Sequence, residues 1–96
     1  MTAAVLSGRV LALDIGRSRT GLALSDASRT LATPLGVITA RPPLNEVLRT
    51  ADQLAAEADG LGAIVVGRPL RLDGQPSPQT AEVDAFVARL RARTTL

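Results

Sequence analysis

Residues 10–21 read VLALDIGRSRTG, and the fold turns on how this stretch is paired. Successive strand residues point to opposite faces, so Leu11, Leu13 and Ile15 share one face while Val10, Ala12, Asp14 and Gly16 share the other. The first face is bulky and apolar, which suits a core. The second is built of small residues and one acid, an open slot holding a carboxylate. Aspartate is poor strand material, and burying its charge without partners is strongly unfavourable. The slot therefore reads as a metal or phosphate site.

Working outward, Gly16 and Gly21 bracket Arg17, Ser18, Arg19 and Thr20 as a tight turn into a second strand over residues 22–25. A second polar turn at residues 26–29, with Asp26 as a turn residue, leads to a third extended segment over residues 30–39. Pro34 marks an edge, a bulge or a break there. Beyond Pro42 and Pro43 the period changes: Leu44, Val47, Leu48, Ala51, Leu54, Ala55 and Ala58 form a helical stripe, predicting a helix that Gly60 and Gly62 end near Asp59. Residues 63–66 (AIVV) are all apolar, the pattern of a strand buried on both faces of a parallel sheet. After a loop rich in Gly and Pro, Ser77 caps a helix whose first residue is Pro78, with Val83, Phe86, Val87 and Leu90 as its apolar face and Arg89, Arg91 and Arg93 toward its C-terminus, as the helix dipole favours. Residues 1–8 show no periodicity and read as a loose lead-in. The order is β-β-β-α-β-α, an α/β chain. The right-handed crossover rule sets the strand at residues 63–66 parallel to an earlier one, beside the Asp14 strand.

Composition limits the chemistry. A chain of 96 residues that is 46% hydrophobic fits one domain. It carries no long apolar run and no signal segment, so a soluble cytoplasmic protein without membrane partners is expected. With no Cys and no His, thiolate or imidazole metal sites and imidazole catalysis are excluded. All 11 basic residues are Arg, yet the net charge is only +2, and Phe86 is the one aromatic residue. A nucleic-acid partner would thus be held through phosphate and shape rather than by base stacking.

The D-x-G-x-x-x-x-G spacing at Asp14, Gly16 and Gly21 admits three readings. Asp14 coordinates a divalent cation, magnesium or manganese, for phosphodiester hydrolysis; or the glycine turn wraps nucleotide phosphates with backbone N–H groups; or the motif is a plain turn. A second motif, GRPLRLDG at residues 67–74, leaves the same edge of the sheet if its strand is parallel to the first, and there α/β proteins place ligands. Arg68 and Arg71 are then candidates to hold nucleic-acid phosphates, joined by Arg17 and Arg19 from the first loop. Asp73 before Gly74 reads as a turn, and Ser18 or Thr20 lacks a base to act as a nucleophile.

Taken together, LDIGRSRTGLALSD, TPL, IVVGRPLRLDG, PSPQT and FVARLRAR, in this order, resemble the YqgF-type family, proteins described as Holliday junction resolvases and as pre-16S rRNA nucleases. The resemblance spans residues 9–93. It implies an RNase H-like mixed sheet and a cytoplasmic, magnesium-dependent endonuclease acting on structured RNA or branched DNA, with Asp14 as first catalytic acid and metal ligand. Members of that family continue into a strand with an Asp-Glu-Arg motif and a helix with a further Asp, neither of which is in this sequence. The expectation is a truncated or interrupted member holding the N-terminal two-thirds of the family domain. Two other classes remain open: a non-catalytic nucleic-acid-binding module, and a phosphate binder of the actin and sugar-kinase type, whose second glycine-rich loop is missing here.

Overall fold

The structure, a computed structural model, describes residues 7–96; the lead-in expected over residues 1–8 lies, up to residue 6, outside the described residues. The elements are β1 (Arg9–Ile15), β2 (Thr20–Ser25), β3 (Ala32–Ile38), α1 (Leu44–Ala55), β4 (Leu61–Val66) and α2 (Pro78–Arg93). The four strands form one sheet in the order β3-β2-β1-β4, with β1 antiparallel to β2 and parallel to β4. This is the mixed α/β sheet expected of an RNase H-like fold.

The period-two reading of β1 holds. Leu11 and Leu13 are buried in a core with Leu22, Val47, Leu54, Phe86 and Leu90, so α1 and α2 both cover this face. The opposite face has no covering element among the described residues. Its cross-sheet rows are small: Val65, Ala12, Ala23 and Pro34 stand side by side, and in the next row Asp14 pairs with Gly21 and Gly21 with Val37.

Three expectations need correction. First, α1 stops at Ala55 rather than near Asp59. The cause is remote in sequence: the Arg9 guanidinium donates to the Leu54 carbonyl (3.1 Å), the Gly60 carbonyl (3.0 Å) and Glu57 Oε1 (2.8 Å). It satisfies carbonyls that another helical turn would otherwise occupy, and the chain leaves through Gly60 at φ +64°. Second, β4 is not buried on both faces. It begins at Leu61, lies at the sheet edge, and leaves Val65 54% exposed. Third, the strands differ in extent from the expectation: β2 begins at Thr20, and β3 is shorter, starting at Ala32.

Pro34 sits where an edge strand tolerates it. β3 is the other edge, and the register slips beside Pro34, leaving Leu35 as the extra residue of a bulge. The ladder of β1 and β4 also slips, at Gly62. A Cβ there would lie 1.8 Å from the Ser7 carbonyl oxygen, so only glycine fits this approach.

Leu11 is fully buried at the centre of the sheet. Leu11→Ala is expected to cost about 2–5 kcal/mol, read as a lower urea midpoint with an unchanged m-value.

Candidate nucleic-acid interface

Three loops meet at the carboxyl end of β1. The first runs through residues 16–19, where the Gly16 N–H donates to the Arg19 carbonyl at 2.9 Å and closes the turn into β2. The second leaves β4 at Gly67, whose N–H donates to the Leu13 carbonyl at 3.0 Å and so extends the parallel pairing past the strand end. The third is the connection from β3 to α1. Since β1 and β4 are parallel, the first two loops leave the same rim of the sheet, as anticipated.

Asp14 lies on this rim beside Gly67, Arg68, Pro69 and Gln79, around a cavity of about 220 Å³. Its side chain is exposed. The desolvation penalty that made an acid in a strand look anomalous is therefore not incurred: the carboxylate stands on the uncovered face, opposite a glycine that contributes no side chain.

The N-terminus of α2 ties the rim together. Ser77 and Thr80 form a reciprocal capping box, and Pro78 occupies the first turn. Thr80 is 1% exposed; its hydroxyl donates to the Pro69 carbonyl and accepts from the Ser77 N–H. Gln79 Nε2 donates to the Ile15 carbonyl at 3.3 Å, joining the helix to the end of β1. The sequence reading found the Ser77 cap but missed Gln79 and Thr80. The box spacing from Ser77 to Thr80 was the available signal, whereas the reach of Gln79 to Ile15 depends on tertiary placement.

The candidate arginines separate into two groups. Arg68 makes a two-pronged ion pair with Asp84 (3.0 and 3.1 Å), which raises the guanidinium pKa and holds the Asp84 carboxyl below its usual range. Arg71 pairs with Asp73 at 3.0 Å; Asp73 also accepts from the Gln75 N–H, and Gly74 takes φ +84°, so the Asp-Gly turn is present. Arg17 and Arg19 are exposed and make no ion pair among the described residues. Asp26 acts as the turn residue expected of it: its carboxylate accepts from the Thr30 and Leu31 N–H groups, the Thr30 bond first among the causes that lower its pKa.

The carboxylates do not gather. Among the described residues no three acids come together as a metal centre, and Asp14 is the one acid lining its cavity. A hard cation at a hydrolytic centre is held by several oxygen donors, commonly more than one carboxylate. The described donor set does not fit such an ion by itself.

A family model described as RuvX, Holliday junction resolvase, matches residues 8–96. The chain belongs to this family. Among relatives, a Chloroflexus aggregans protein is 41% identical over 86% of the chain and 57% of its own length. One from Roseiflexus sp. is 43% identical, over 88% of the chain and 58% of its own length, and one from Paramagnetospirillum magneticum is 40% identical, over 85% and 52%. All three carry the name "Putative pre-16S rRNA nuclease". The chain spans about half the length of the curated relatives it matches. The RuvX-family match covers the whole rim: the Asp14 strand, the Arg17–Arg19 turn, the loop after β4 and the cap of α2. No helix among the described residues is long and apolar enough to cross a membrane.

Thr80→Val removes both the donor to Pro69 and the acceptor for Ser77, and is expected to lower stability by about 1–3 kcal/mol in urea titration. The carboxyls of Asp84 and Asp26 are both held below their ordinary value of 3.8, so the stability they confer is present above that pH and disappears as pH falls through it toward their folded values. Thermal midpoints measured from pH 5 down to 2 should fall less steeply in Asp84→Asn and in Asp26→Asn than in the parent.

Proposed function

We propose that this chain supplies the nucleic-acid-facing rim and the first catalytic carboxylate of a nuclease acting on structured RNA or branched DNA. A precursor of small-subunit ribosomal RNA and a four-way DNA junction are the two substrates that the family description and the relatives' names suggest. The observation that carries this reading is Asp14 itself, an exposed acid at the carboxyl end of a central parallel strand, flanked by two loops that bear arginines. Guanidinium groups at that rim attract a phosphodiester backbone that the lone carboxylate would repel. Magnesium or manganese is the cofactor we propose for the hydrolytic protein, with Asp14 one donor and further carboxylates required to complete the set. Either substrate places the work in the cytoplasm.

A second reading has an observation of its own. The described residues gather no second acid beside Asp14, which suits a module that binds nucleic acid and does not cut it.

One experiment separates the two. The chain, extended by the part of the Chloroflexus aggregans relative that its match leaves uncovered as the source of the further carboxylates, is incubated with magnesium and either a labelled precursor of small-subunit rRNA or a four-way DNA junction, and binding and cleavage are followed together. Cleavage that falls by about a hundredfold or more in Asp14→Asn, with binding retained, supports the nuclease. Salt-dependent binding without cleavage supports the binding module, and cleavage undiminished in Asp14→Asn removes Asp14 from the mechanism.

A further inference from the structure

Next to the Asp14 cavity lies a second one, of about 320 Å³, within the size range of ligand sites, about 300–1,000 Å³. Ile15 lines both, so the two adjoin at the end of β1. The second cavity is walled by Phe86 and Pro43, and three arginines converge on it: Arg19 from the first loop, Arg41 from the connection between β3 and α1, and Arg89 from α2. Glu82 is its one acid. Glu82, Phe86 and Arg89 follow one another on a single stripe of α2, at helical spacings of four and three.

Among the described residues, none of the three arginines makes an ion pair and no hydrogen bond engages their guanidinium groups. Their convergence from three separate elements gathers like charge in one recess, an arrangement that an anion relieves. Arg68 and Arg71, by contrast, each already pair with an acid, Arg68 through two bonds to Asp84 and Arg71 through one to Asp73. An arginine fork recognises one planar anion at a time, and a free fork binds phosphate without first breaking an ion pair.

We propose that Arg19, Arg41 and Arg89 form a subsite for a phosphodiester of a bound nucleic-acid strand, so that the strand crosses the rim on the α2 side of Asp14. The ligand class rests on the nuclease reading above. The positions of Arg41 and Arg89 are new relative to it and come from the cavity alone.

The test is fluorescence anisotropy of the chain with a labelled RNA hairpin and a labelled DNA four-way junction across a series of salt concentrations. Arg19→Ala, Arg41→Ala and Arg89→Ala should each weaken binding roughly tenfold and take about one unit from the slope of log K against log salt. Arg49→Ala, on α1 and away from both cavities, where it pairs with Glu46, should leave both within about twofold of the parent. Glu82→Gln removes the opposing charge and should tighten binding about threefold, a gain that misfolding does not imitate. Parent-like binding in the three alanine variants, with the parent itself binding in a salt-dependent way, overturns the subsite and leaves the nuclease reading standing. No binding of either nucleic acid by the parent overturns both. Inorganic phosphate that binds as tightly as either polymer, and is weakened by the same substitutions, overturns the strand assignment in favour of a small-anion pocket.

Discussion

The structure depends on the one-sided burial of β1. Leu11 and Leu13 anchor the core from the middle of the sheet, and α1 and α2 are positioned by packing onto the surface these two begin. Complete burial of each leucine is worth about 1.5–3 kcal/mol. The same alternation that turns them inward turns Asp14 outward, so the carboxylate needs no counter-ion to be tolerated. Folding and the placement of the acid are two results of a single period.

A long-range clamp sets the rest of the frame. Arg9, at the first position of β1, ends α1 and fixes the turn into β4 by binding carbonyls at Leu54 and Gly60. One side chain thereby coordinates the strand that bears the acid, the helix that covers it and the strand that flanks it.

These interactions explain what was legible from the residues alone. Element types, their order, the parallel pairing of β1 with β4 and the cap at Ser77 follow from local period and turn chemistry, and all were readable. The end of α1 was not, because its terminator lies 45 residues from Leu54 and 51 from Gly60. The apolarity of β4 suggested cover on both faces, yet Val65 faces outward, since a hydrophobic run reports composition and not what lies over it. The arginines were the least legible feature. All four candidates share a side chain, and what separates Arg68 from Arg19 is the rotation of α2, which brings Asp84 within reach of one and leaves the other unmatched. Arg41 belongs to no motif and Arg89 reads only as part of the basic end of α2, so only the folded chain could show the two lining the same recess.

The two borders of the sheet are unequal. Along β3, a proline and a bulge interrupt the row of backbone donors and acceptors. Along β4, LGAIVV carries neither proline nor charge on the free side. Edges of the first kind resist further pairing, and edges of the second kind invite it. The sheet therefore has a direction of growth: a strand that joins it does so beside β4, and the hairpin side stays as it is. Whatever joins in a parallel sense will have its carboxyl end on the Asp14 rim, so the binding surface can widen from one flank only.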